Sequence, residues 1–382
     1  MLIESRTGLP LHYPNLYVTT QVRNRSLSHS SMAAALAGIK VFLDFVHSRD
    51  IDLRERFVKK RFLTMPELDA LSDYSLRDYR ADDSLASNSC PTVARSTQYH
   101  RLSTIANYIA WLGATIPSGR LDRVARSALD QTVARIKARR PRNRNRASSR
   151  PDRSLSADQI EAALGSLDPT SETNPFVIPG VRERNWVIFL LLYHLGLRSG
   201  ELLGLRIRDV DFQKCQVVVA RRPDERDDPR VDQPLAKTLD RRLPMSAGLS
   251  KLVHNYVVGS RRAFSAARKH DFLFVTHAKG ACRGQPISRQ GFNALFRRIR
   301  SEIPLLENLT PHRLRHTWNK RFSDEIDAMS EPISTQEEEK IRSYLMGWRE
   351  GSGTSSVYNR RHIEDKAQLA ALALQRRMWS DA

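Results

Sequence analysis

Between Arg135 and Arg153 the chain carries nine basic residues, two prolines and, after Ile136, almost no apolar side chain. Such a run cannot bury enough surface to fold by itself. It divides the 382 residues into two segments, each long enough for a core, so two domains and a linker are expected. Like charges hold the run extended in free solution, whereas a phosphate backbone neutralises it with release of counterions. A linker that tracks DNA is therefore favoured over an inert spacer. The whole chain shares the bias: 62 Lys and Arg against 42 Asp and Glu give a formal net charge of +20. That balance calls for a polyanionic partner, nucleic acid or an anionic membrane.

Several classes are disfavoured. No run of about 18 apolar residues suggests a membrane span, and Met1–Arg6 lacks the apolar core of a secretory signal. A soluble, cytoplasmic protein without membrane contact is expected. Cys90, Cys215 and Cys282 are scattered, which argues for reduced structural thiols rather than a disulfide framework or zinc module. Carboxylates for a two-metal site are not clustered near the basic residues, and no Gly-rich P-loop occurs. The expectation is no metal and no cofactor.

In residues 1–30, a weak alternation around Leu16–Val22 reads as a short strand or extended arm without an assigned role. Residues 31–134 read as a small helical domain. Met32–Val46 has apolar residues at helical spacing and is rich in Ala, Leu68–Tyr79 is helical and acidic, Arg80–Pro91 is a loop, and Thr97–Leu112 is again helical. Lys59, Lys60, Arg61, Arg95 and Arg101 are possible phosphate contacts or simply solvated charges.

The second domain, 154–382, opens on Ser156 followed three residues later by Gln159, a capping box. A long apolar helix over Trp186–Leu195 ends near Gly196. Cys215–Ala220 and Arg242–Met245 suggest strands around a hairpin, Phe272–Val275 is another short apolar run, and helices follow. Arg221–Gln233 is a long charged insertion in that hairpin. Ser323–Lys340 is an acidic insertion, either an interaction surface or a solvated loop. The stretch Asp365–Trp379 has an apolar stripe suited to its own domain or to a neighbouring subunit.

The chemistry concentrates near the carboxyl end, in Thr310-Pro-His-Arg-Leu-Arg-His-Thr-Trp. Thr310 is a plausible cap and Pro311 suits a first helical turn, which places His312 and Arg315 on one face at i and i+3. An imidazole that titrates near neutrality beside a permanently charged guanidinium suits proton transfer with phosphate clamping. His316 is expected to point inward. Upstream, Arg198 follows Gly196-Leu197 at a helix start, and Glu201 is placed to hold it by an ion pair. Trp348 and Tyr358 follow downstream, separated by the Gly- and Ser-rich Gly351–Ser356. A phenol titrates near ~10 and needs cations or a base to attack at neutral pH.

The ordered set Arg198, Lys237, His312, Arg315, Trp348 and Tyr358 resembles the tyrosine recombinase family, also called phage integrases, over roughly Ser154 to the end. The resemblance implies a mainly α fold with a small β-sheet or hairpin. An N-terminal helical core-binding domain would join a C-terminal mixed α/β catalytic domain of the tyrosine recombinase type. It implies a site-specific recombinase or integrase acting on double-stranded DNA through a 3′-phosphotyrosyl link, as a homo-tetramer on paired sites and with possible accessory recombination proteins. Such an enzyme is nucleoid-associated, moves a mobile genetic element by integration or excision, and needs neither ATP nor metal.

By the same resemblance Tyr358 is the nucleophile, Arg198 and Arg315 hold the phosphate, Lys237 is the proton donor to the departing 5′-oxygen, and His312 assists. The long insertion leaves Lys237 open to displacement, with Lys214 a distant substitute. Trp348 stands where many relatives carry a histidine; its indole N–H donates a hydrogen bond but shuttles no proton. The rivals are a type IB topoisomerase, a catalytically idle DNA binder of the same fold, and a basic nucleic-acid-binding protein with accidental motif matches.

Overall fold

The computed structural model describes residues 1–25, 27–79, 91–116, 121–141, 153–223, 225–236, 238–331 and 333–349. Two compact units divide the chain, Met1–Arg150 and Pro151–Ala382.

The first unit is helical: α1 (His12–Tyr17), α2 (His29–Ser48), α3 (Leu53–Val58), α4 (Met65–Leu76), α5 (Arg95–Thr115) and α6 (Arg123–Ala138). Ser28 caps α2 and Asp52 caps α3, each accepting from a backbone N–H three residues on, and Thr64 with Glu67 forms a capping box on α4. Gly38 brings α2 against Thr104 of α5, and Gly113 brings α5 against Leu129 of α6; a side chain at either position would press on its neighbour. The core gathers Ile39, Phe42 and Phe45 with Leu71, Ile105 and Tyr108. By length and composition α2 matches a membrane span, but these inward residues pack as those of a core helix do.

Two sequence expectations change here. Leu16–Val22 is neither strand nor extended arm: α1 runs into a π-helical turn over Val18–Val22. Tyr17, Val18 and Val22 are buried in the core, Tyr17 edge-on to Tyr108 at 5.2 Å and to Trp111 at 5.4 Å. The intervening Thr19 and Thr20 fit a helix because their hydroxyls donate to the carbonyls of Asn15 and Leu16, four residues back. The run read as linker from Arg135 is helical through Ala138, with Ile136 buried. Basic residues suit the carbonyl end of a helix, so the charge that marks a linker here also marks a last turn.

The second unit comprises α7 (Ala157–Leu167), α8 (Pro179–Leu195), α9 (Ser199–Gly204), α10 (Ala247–Tyr256), α11 (Arg289–Glu302), α12 (Pro311–Asp327) and α13 (Thr335–Met346). A three-stranded antiparallel sheet, β1 (Val210–Asp211), β2 (Gln216–Val219) and β3 (Arg241–Pro244), lies in that order. The expected capping box is present, Ser156 accepting from Gln159 N–H and Gln159 reaching back to Ser156. Helix α8 is apolar on most sides because it is the central one, packed by α7, α10 and α12 with Ile188, Leu191 and Leu192 fully enclosed. The expected hairpin is β2–β3, in register Val217 to Leu243. Among the described residues, Phe272–Val275 pairs through isolated bridges, Arg206 to Phe272 and Val275 to Pro286.

The hairpin insertion is bound to the body. Arg222 pairs with Asp209 at 2.5 Å, and Arg230 pairs with Asp228 at 2.8 Å while donating to the carbonyls of Leu203 and Ile287, both 3.0 Å. Arg206 and Arg230 lie over the Phe272 ring at 3.5 and 4.5 Å. The described residues of Ser323–Lys340 are largely helical rather than a solvated loop. Ser323–Asp327 ends α12 and Thr335–Lys340 begins α13, where Glu338 is buried in an ion pair with Arg342. Arg342 also donates to the Asn319 carbonyl (3.1 Å) and the Ser323 hydroxyl (2.7 Å), which fixes α13 on α12.

Candidate active site

Helix α13 ends at Met346, and the last carbonyls of a helix have no partner within it. Three arginines supply partners. Arg241 Nε donates to the Leu345 carbonyl at 2.7 Å, Arg315 Nη2 to the Met346 carbonyl at 3.0 Å, and Arg198 Nη1 reaches that same carbonyl at 3.5 Å. The negative end of a helix is where cations are most stabilised. Guanidinium groups from α9, α12 and β3 thus meet at one helix end, immediately before Trp348.

Arg198 and Arg315 arrive there by local geometry that the sequence announces. Helix α8 stops at Gly196, left-handed with φ +59°, and the turn through Leu197 makes Arg198 the cap of α9. A side chain on Gly196 would lie 2.9 Å from Met346 Cε and from Trp318 Cγ. Thr310 caps α12 by accepting from Arg313 N–H, with Pro311 in the first turn, as expected. Arg315 is 2% exposed and also donates from Nη1 to the Gly196 carbonyl at 2.6 Å, whereas the Arg198 side chain keeps 32% of its surface.

Glu201 is completely enclosed, and its nearest charge is not the expected one. It pairs with Arg198 at 3.4 Å but with Arg241 at 2.8 Å, and it accepts from Thr238 Oγ1 at 2.7 Å. Burial alone would raise its pKa. The Arg241 charge and hydrogen bond, then Arg315 and Thr238, outweigh burial and hold it below the ordinary glutamate value. Arg241 was missed in the sequence, where only Arg242 was read into the strand. The signal was available in the alternation of a strand: Arg241 shares the face of Leu243, which is buried.

Trp348 is 7% exposed, its backbone N–H bonded to the Ser343 carbonyl at 2.9 Å, and the Arg315 guanidinium lies 5.6 Å from its ring centroid. The intervening Gly347 is left-handed, φ +64°. A Cβ there would come within 2.8 Å of Arg241 Nη1 and Thr238 Cβ. Gly347→Ala is therefore expected to destabilise this unit by about 1–3 kcal/mol, the scale of a strained backbone position, read from the urea midpoint. It should also displace Trp348 from Arg315, visible as a change in tryptophan emission.

His312 stands one turn before Arg315, exposed. Partial burial, then the charges of Arg153, Arg315 and Arg198, lower its pKa from the ordinary histidine value. His316 does not turn inward as expected. It is half-buried, and its Nε2 lies 3.1 Å from His312 Nε2 because residues four apart share a helix face. Lys237 and Tyr358 lie outside the described residues, as do Gly351–Ser356 and Asp365–Trp379. The alternative lysine, Lys214, is exposed in the β1–β2 turn, its N–H donating to Asp211.

Residues 153–329 match the family model for the phage integrase family. Among curated proteins, the chain is 28% identical over 178 residues to the tyrosine recombinase XerD of Halalkalibacterium halodurans, covering 45% of this chain and 49% of that one. It is 30% identical over 136 residues to transposase A from transposon Tn554 of Staphylococcus aureus, 35% of each. The chain thus spans about half or less of the length of these two relatives. Among solved structures, the XerH site-specific recombinase bound to palindromic difH substrate, a post-cleavage complex, has the same fold. The TM-score is 0.53 over 89% of this chain and 80% of that one, at 13% identity.

Proposed function

We propose that this chain, which matches the phage integrase family model over residues 153–329, is a tyrosine-type site-specific DNA recombinase or integrase that breaks and rejoins strands without ATP or metal. One observation carries the reading. Arg198 and Arg315, from different helices, converge on the single carbonyl of Met346, and His312 stands one turn from Arg315. A phosphate oxygen arriving there would replace that carbonyl as acceptor and receive bidentate guanidinium contacts.

In the proposed reaction the Tyr358 oxygen attacks the scissile phosphorus. As that bond forms, the bond to the 5′-oxygen breaks, leaving a 3′-phosphotyrosyl link and a free 5′-hydroxyl. Arg198 and Arg315 stabilise the negative charge that grows on the non-bridging oxygens. His312 takes the phenol proton, Lys237 gives one to the leaving oxygen, and Trp348 supports the pocket by packing on Arg315. Attack by a 5′-hydroxyl from a second duplex reverses the steps, so bond energy is kept. Exchange between two duplexes calls for a homo-tetramer on paired sites in the cytoplasm, associated with the nucleoid. The transposase relative is in keeping with a mobile element as cargo.

The test uses a supercoiled plasmid carrying two copies of the DNA that flanks this chain's gene. Strand exchange that requires both copies supports the proposal. Relaxation of a plasmid carrying neither copy would point to a topoisomerase, and binding without any strand passage to an idle DNA binder.

A further inference from the structure

We propose that Asn319 and Arg342 are positioning residues for the phosphate site. They set the register in which α13 lies along α12, and with it the place of the helix end that Arg315 and Arg198 share. Their effect on strand cleavage rests on the recombinase reading; the register they set does not.

The two helices meet through three polar rungs. The Ser323 hydroxyl of α12 donates to Glu338 of α13 at 3.5 Å, Arg342 donates to the Asn319 carbonyl at 3.1 Å, and Arg315 donates to the Met346 carbonyl at 3.0 Å. From Ser323 to Asn319 to Arg315 the chain steps back by four residues, while from Glu338 to Arg342 to Met346 it steps forward by four. The helices are therefore antiparallel here, and each rung lies one turn from the next. The last rung is the candidate active site. Asn319, 1% exposed, ties that rung to the middle one: its Nδ2 donates to the Arg315 carbonyl at 2.8 Å and lies 3.6 Å from Met346 Sδ, and its Oδ1 is 3.5 Å from Arg342 Nη1. Arg342 is equally buried and turns Nη2 to the Ser323 hydroxyl at 2.7 Å and to the Glu338 carboxylate. One guanidinium thus spans both lower rungs.

Stability alone does not call for this arrangement. A buried ion pair loses in desolvation about as much as it gains in attraction, and apolar side chains of similar volume often hold two helices as firmly. Apolar contact tolerates sliding and rotation, whereas hydrogen bonds are directional. A slip of one residue along α13 would move Met346 by about 1.5 Å and turn it by about 100° around the helix axis. That takes its carbonyl off Arg315 and carries Trp348 away from the same guanidinium, now 5.6 Å from its ring centroid. Misplacing a reacting geometry by about 1 Å lowers a rate on the order of a hundredfold.

The full chain carrying both Arg342→Met and Glu338→Leu separates positioning from folding, because it replaces the buried pair by apolar groups of similar size. Its thermal midpoint and its affinity for duplexes drawn from the DNA flanking the gene should stay at wild-type values. Single-turnover adduct formation on nicked duplexes should fall about a hundredfold. Arg315→Lys added to this variant should cost much less than it does in wild type, since both changes act on the same guanidinium contact. A wild-type cleavage rate, equal losses of rate and binding, or an undiminished cost of Arg315→Lys overturns the proposal. Should the double variant melt early, Arg342→Lys decides: its ammonium keeps a charge opposite Glu338 but cannot also span Asn319 and Ser323. A loss of about tenfold or more in rate at unchanged binding supports the proposal, and a wild-type rate overturns it. The register is also read without cleavage, from the Trp348 share of the emission, taken as the difference between each protein and its Trp348→Phe derivative. That share should shift to the red in the double variant; an unchanged spectrum overturns the proposal. Absence of adduct from every protein, wild type included, would count against the recombinase reading and leave the emission to decide the register.

Discussion

Replacing Glu201 by alanine should destabilise the second unit by about 3–5 kcal/mol, because it strands the buried Arg241 charge without its partner. The Arg241 side chain is 1% exposed, so water cannot replace the carboxylate. Among the described residues, the Arg241 guanidinium otherwise donates to the Thr238 hydroxyl and the Leu345 carbonyl, neither of which carries a compensating charge. Urea unfolding of wild type, Glu201→Ala, Arg241→Met and the double variant measures the coupling, and the double variant should recover part of the loss. Since the folded pKa of Glu201 is depressed, its contribution is complete above the pKa of the unfolded chain. It is lost as pH falls through the folded value. The stability difference between wild type and Glu201→Gln should therefore shrink on acidification below the ordinary glutamate pKa and stay level above it.

Arg315→Lys should lower the rate of covalent adduct formation by about 10²–10³-fold, the scale seen when one positioned donor to a developing oxyanion is removed. Charge is kept, but the planar fork is not. Arg315 reaches the Gly196 and Met346 carbonyls from two different nitrogens, and a single ammonium cannot span both while also meeting a phosphate. DNA affinity should change much less, because one phosphate contact among many is altered and the net charge is unchanged. Single-turnover cleavage alongside equilibrium binding separates the two; equal losses in both would assign Arg315 to DNA binding or to folding instead.

Much of this architecture is legible in the sequence where one local rule decides the outcome. Ser156 with Gln159 fixes the start of a helix, Gly196 fixes the end of another, and Thr310-Pro311 sets the phase that puts His312 and Arg315 one turn apart. The hairpin strands follow from their apolar alternation. Where tertiary contact decides, the reading fails. Thr19 and Thr20 look like strand residues until their hydroxyls are seen to bond back along a helix. Glu338 looks like part of a solvated acidic run, yet burial against Arg342 makes it a packing residue. The choice of Arg241 over Arg198 as the main partner of Glu201 depends on β3 meeting α9, which no spacing within either element reveals. His316 was misplaced for a simpler reason, since an i, i+4 pair shares one face of a helix.

In the proposed reaction Tyr358 attacks DNA at a phosphate held by Arg198 and Arg315. Nicked suicide duplexes drawn from the DNA flanking the gene, on which the cut end cannot be rejoined, test it most directly. The expected product is a protein–DNA adduct that resists denaturant, maps to Tyr358 by peptide mass, and disappears in Tyr358→Phe while DNA binding persists. An adduct that survives in Tyr358→Phe, or none on any flanking duplex although the protein binds them, would contradict it.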